Sequence, residues 1–123
     1  MRNRDKATEV KAISTNSGLS IQEAEMVFNH VFEDEHLFAD GTKKRFAPDY
    51  YMQQSFMRIR EGKNIEQHDR TLLYHELEEA KLMAADPHMT YEEAHEIVQN
   101  KYNYKAELKK YLKKKGGKDN VDL

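Results

Sequence analysis

The sequence predicts an all-α fold, a compact bundle of five or six helices. Three observations point there. Only five glycines and two prolines punctuate 123 residues, so little interrupts long helical runs. Apolar residues recur at three- and four-residue spacing, with no sustained alternation of the kind a strand needs. Two Ser/Thr-x-x-Glu boxes, Ser20–Glu23 and Thr90–Glu93, mark helix starts by reciprocal side-chain and backbone hydrogen bonds.

The elements follow in order. Ala7, Val10 and Ile13 set a first helix over 5–14, and TNSG breaks it. The Ser20 box opens a second helix expected to reach about residue 36, with Ile21, Ala24, Val27, Phe28, Val31 and Phe32 inward. Residues 37–47 hold Asp40-Gly41, a turn signal, and read as a loop or short hairpin. Pro48 suits the first turn of a third helix, which buries Tyr51, Met52, Ser55, Phe56 and Ile59 and ends at Gly62. Tyr50 reads with Tyr51 and Phe56 as core. A fourth helix starts near Asp69 and runs to about Ala85. Asp86-Pro87-His88 is a turn, and Thr90 opens the fifth helix. The short turn makes 69–100 a central antiparallel helical hairpin. Tyr102-Asn103-Tyr104 marks a break before a last helix over about 105–113. One domain spans 5–113, and 114–123 reads as a disordered tail.

Composition excludes several classes. Lys plus Arg is 20 and Asp plus Glu is 22, a net charge of −2. Nothing here pulls the chain toward nucleic acid or an anionic bilayer as a whole. Without cysteine there is neither a disulfide framework nor a thiolate metal site. Mean hydropathy is −0.97, no apolar run is long enough to span a bilayer, and residues 1–15 carry no secretory h-region. Residues 5–36 have the length of a helix-turn-helix, but the outer face of the second helix offers Gln22, Glu23, Glu25, Asn29 and Glu33. That acidic face repels duplex DNA. KAELKKYLKKK at 105–115 reads as a solvated helix end, whose lysines suit the C-terminal dipole.

The fourth helix carries the chemistry. With Leu72 at zero and about 100° per residue, Leu72, Met83, Ala80, Leu73, Ala84 and Leu77 fill an arc of about 140°. Glu76 falls inside that arc, and His75 and Glu79 lie on its edge. In the fifth helix Tyr91, Ala94, Ile97, Val98 and Tyr102 form the apolar arc, with His95 on its flank. An ionised carboxylate in a core is costly unless it is paired, hydrogen-bonded or metal-bound.

Two readings are open. HExxE at 75–79 sets His75 and Glu79 at i and i+4 on one face, the spacing by which one helix grips an ion. His95 is then the third ligand, and Glu76 the base or a further ligand. Mixed His/carboxylate donors suit Zn, Mn or Fe. His36, Asp49, His68 and Asp69 are possible additions from other elements. Alternatively the cluster is a satisfied polar network that fixes helix packing. His30 and His36 read as packed or capping histidines.

The segments NSGLSIQEAEMVFNHVFEDEH, FAPDYYMQQSFMRIREGKNIEQHD, LLYHELEEAKLM and MTYEEAHEIVQNKYNY, taken in order over about 8–104, resemble a C-terminal module of Gram-positive phage minor head (head-morphogenesis) proteins. Similar segments occur in predicted polymorphic toxins of bacteria. The resemblance picks out His36, Asp49, Tyr50, His68, Asp69, His75, Glu76, Glu79, Glu93 and His95. Ala47 departs from it, standing where the pattern has an acid. It implies a phage- or mobile-element-associated module, cytoplasmic or virion-associated, with a protein partner in the phage head or host. The expected function is metal-dependent hydrolysis of nuclease or peptidase type, with nucleic acid only as substrate and no membrane. The alternative is a non-catalytic interaction module.

Overall fold

A computed structural model describes residues 5–116. Six α-helices occur in this span: α1 Lys6–Ser17, α2 Ile21–Phe28, α3 Tyr50–Glu61, α4 Gln67–Ala85, α5 Tyr91–Gln99 and α6 Tyr104–Gly116. The all-α expectation holds. The one sheet among the described residues is a small hairpin, β1 Glu35–Leu37 antiparallel to β2 Lys43–Arg45, with His36 opposite Lys44. Asp40-Gly41 makes its turn, and Gly41 takes φ +88°.

Both capping boxes form. Ser20 and Thr90 accept from the Glu23 and Glu93 N–H groups, and each glutamate accepts from its cap's own N–H. These local bonds satisfy orphan donors at the helix starts, which is why the sequence places α2 and α5 closely. α4 is central: it packs against α2, α3, α5 and α6. Leu72, Leu73 and Leu77 meet Val10, Ile13, Val27, Phe56 and Ile59 in one core. α5 returns antiparallel along α4 through the 86–90 turn, as expected. α6 is tied down by buried Leu108 and by Thr71 Oγ1, which donates to Glu107 at 2.6 Å.

Several expectations are corrected. α2 does not run to residue 36. After Phe28 it widens into a π-helical turn, Asn29–Glu33, and Asp34 is extended. His36 therefore lies on β1. Pro48 precedes α3 rather than entering it, because Asp49 caps that helix by accepting from the Met52 N–H at 2.9 Å. Tyr50 is surface, at 66% exposure. α4 starts two residues before Asp69, which sits in its first turn and accepts from the Glu66 N–H. Ala84 and Ile97 are exposed. α5 packs chiefly on α4, and Ile97 is left 51% exposed. α1 continues to Ser17, where Gly18 in the left-handed region ends it. Residues 114–116 belong to α6, and the rest of the expected tail lies outside the described residues.

Candidate metal centre

Glu79 is fully buried, and three imidazoles converge on its carboxylate. His75, one turn earlier on α4, places Nε2 2.5 Å from Oε2. His95, from α5, places Nδ1 2.9 Å from the same oxygen. His30, from the π turn, places Nε2 3.1 Å from Oε1. The structure thus brings together His75, Glu79 and His95, the three residues the sequence nominates as ligands. The antiparallel return of α5 along α4 is what puts His95 there.

The outer nitrogen of His75 settles the ring's orientation. Nδ1–H donates to the Tyr102 carbonyl at 2.8 Å. With Nδ1–H committed to Tyr102, Nε2 is the atom that faces Glu79 and His95 Nδ1, 3.1 Å away. In the ion-free network Nε2–H donates to Glu79 Oε2, and a cation binding there displaces that proton.

Glu76 is buried beside His75 and His95. Its Oε1 lies 3.5 Å from His30 Nε2 and has no hydrogen-bond partner. Burial pushes the Glu76 carboxyl well up, and the neighbouring Glu79 charge adds to that. Burial acts on Glu79 in the same sense, but hydrogen bonds from His30, His75 and His95 outweigh it and hold Glu79 well below the usual carboxylate range. The hydrogen bond to Glu79 raises His95, against the effect of its partial burial.

Two groups of three side chains result, His75–Glu79–His95 and His30–Glu76–Glu79, each with ligand atoms within 4.8 Å of one another. Glu79 belongs to both. The donor set fits a divalent ion: imidazole and carboxylate, a ring orientation fixed by a backbone carbonyl, and an orphaned buried oxygen. A cleft of about 380 Å³ reaches His75, Glu76 and His95 between Tyr91, Met52 and Tyr104. Burial pushes the Tyr91 phenol up, with Glu76 and Glu79 adding to it, so it stays protonated.

The other candidates fall elsewhere. Asp49, the α3 cap, lines the same cleft. His36 donates Nε2–H to the His30 carbonyl at 2.6 Å, and its ring lies 4.4 Å from that of His30. It supports the π turn. His68 and Asp69 belong to a separate network, in which Arg58 grips Asp69 through two 2.7 Å hydrogen bonds and Ser55 Oγ–H donates to Asp69 at 2.5 Å. The sequence reading missed His30. A histidine on the flank of an apolar stripe was its only signal, and the π turn that aims it inward leaves no mark in the pattern.

No protein-family model, curated protein or solved structure matches this chain.

Proposed function

We propose that this chain is a metal-dependent hydrolytic module, with nuclease or peptidase chemistry of toxin type. The observation that carries this reading is the orientation of His75. Its Nδ1–H is committed to the Tyr102 carbonyl, which turns Nε2 toward Glu79 and His95. Metal-binding histidines are oriented in this way by an outer hydrogen bond. His75, Glu79 and His95 hold the ion, of the Zn, Mn or Fe class. When bound, the ion polarises a substrate oxygen and acidifies water at neutral pH. Glu76 takes the proton, because it borders the same cleft beside His75. Tyr91 walls the cleft and stays neutral. Association with a phage or other mobile element rests on the resemblance over residues 8–104 alone.

One observation favours a second reading. Each of the three imidazoles already has a protein partner on Glu79. A network of this kind ties the π turn, α4 and α5 together with no ion, as the polar core of a module that binds a phage-head or host protein.

Metal content of the purified protein by plasma mass spectrometry separates them. About one equivalent or more of a transition metal, reduced in both His75→Ala and His95→Ala, is the expected result. Nuclease and peptidase assays of wild type against Glu76→Gln then follow. No metal as purified, and no rise in Tm on adding Zn²⁺ or Mn²⁺, would leave only the packing reading.

A further inference from the structure

We infer that a second divalent-cation site adjoins the first, built by His30, Glu76 and Glu79, with Glu79 bridging the two ions. The inference rests on the reading of His75–Glu79–His95 as a metal site.

The division of the Glu79 oxygens is the first support. Oε2 serves His75 and His95, and Oε1 serves His30. A carboxylate used from both oxygens spans two ions at the separation of about 3.5–4 Å found in two-metal hydrolytic sites. Two histidines on one side and a histidine with a carboxylate on the other leave each ion three protein donors. Open positions then remain for water or substrate.

The second support is Glu76, which is 2% exposed. The Glu76 and Glu79 side chains share a hydrogen bond, but Glu76 Oε1, 3.5 Å from His30 Nε2, has no partner of its own. A buried acceptor without a donor calls for an explanation, and an unseen ion is one of the standard ones. A cation within reach of Glu76 Oε1, His30 Nε2 and Glu79 Oε1 satisfies it.

The backbone supplies the third. His30 sits in the π-helical turn 29–33, the turn's carbonyl at His30 is held by the His36 ring, and Tyr91 stacks 6.1 Å away. π turns inside α-helices recur at functional sites. Here the turn is what aims the His30 ring at the two carboxylates. With this site filled Glu76 serves as a ligand and not as the proton acceptor.

The test is equilibrium dialysis of the full chain against Mn²⁺, with bound metal counted by plasma mass spectrometry and recorded by electron paramagnetic resonance. The expected result is two ions in wild type and one each in His30→Ala and His95→Ala. The wild-type spectrum should be broadened by exchange across Glu79, and the His30→Ala spectrum should return to the six lines of an isolated ion. His30→Gln, closer in volume, serves if the alanine variant does not fold by circular dichroism. A single ion in wild type, or two retained in the His30 variants, overturns the second site while the first stands. No ion in wild type overturns both.

Discussion

His75 and Tyr102 are joined by a hydrogen bond from a side chain in the middle of α4 to a main-chain carbonyl just beyond α5. The donor is Nδ1–H and the separation is 2.8 Å. The bond fixes which nitrogen of His75 faces Glu79, and it ends α5 against α4. Removing the ring therefore has two effects. His75→Ala should lower stability by about 1–3 kcal/mol without metal, the cost of an orphaned buried acceptor, and should also abolish the Tm rise produced by Zn²⁺. His75→Asn, able to donate to the same carbonyl, should recover part of the stability but not the metal response. Denaturant melts of both variants with and without Zn²⁺ check this.

Metal should stabilise the wild type by linkage alone. At about one hundred times its dissociation constant an ion that binds only the folded chain adds about 2.7 kcal/mol. Chelation should remove that increment reversibly, and scanning calorimetry across a Mn²⁺ series measures it. A Tm independent of Mn²⁺ concentration would count against the centre.

Arg58 and Asp69 form a fork of two 2.7 Å bonds, with the Asp69 side chain fully buried and Arg58 partly exposed. Arg58→Met leaves that carboxylate buried without its counter-charge. Such a loss costs about 3–5 kcal/mol, so the midpoint of urea unfolding should fall sharply, while metal uptake per folded molecule stays unchanged.

The same network sets a pH dependence. Burial raises the Asp69 carboxyl, but Arg58, the Glu66 N–H and Ser55 outweigh it and the net shift is downward. Burial lowers His68, with the Arg58 charge acting in the same sense and Asp69 opposing it. Both folded values thus lie below the unfolded ones. Both contributions are complete above the ordinary histidine value of 6.5. The His68 part is lost as pH falls below it, and the Asp69 part as pH falls below the ordinary carboxylate value of 3.8. Glu76 and His95 are shifted upward and act in the opposite sense, so the readout is the Tm gap between wild type and His68→Gln: it should change as pH falls from 7 to 5, and a gap constant over that range would contradict the assignment.

Gly62 and Gly18 offer a paired test of backbone and packing. Both have φ in the left-handed region, +72° and +87°. A Cβ on Gly62 would come within 3.0 Å of Asn16 Oδ1, whereas one on Gly18 meets nothing within 4 Å. Asn16 donates to the Ile59 and Arg60 carbonyls and pins α1 to the end of α3. Gly18→Ala should cost about 1–2 kcal/mol from backbone strain, and Gly62→Ala should cost more. Chemical denaturation of the two variants side by side gives the difference.

How far the sequence reaches depends on the range of the interaction. Ser20–Glu23 and Thr90–Glu93 were legible because each box closes within four residues. Glu76 was legible because periodicity gives its direction, and the short 86–90 turn sufficed to bring His95 toward Glu79. The Tyr102 carbonyl was not legible, since only folding brings it to His75, 27 positions back. Asp69 read as a helix start and a possible added ligand, and Arg58, which grips it from another helix, was not legible. Ile97 matched the apolar arc of α5, yet it stands half exposed. His30 escaped because Val31 and Phe32 continue an ordinary helical pattern through a turn that is not α-helical.

That π turn makes chain length itself a determinant of the centre. A π turn holds one residue more than an α-helical turn covering the same stretch of axis. Deleting Asn29, the residue between α2 and His30, would set His30 back one position on the helix and rotate it by about 100° relative to Glu79. Most single replacements in the turn would leave that angle alone. The position of His30 is therefore sensitive to loss of a codon and comparatively tolerant of a change of one.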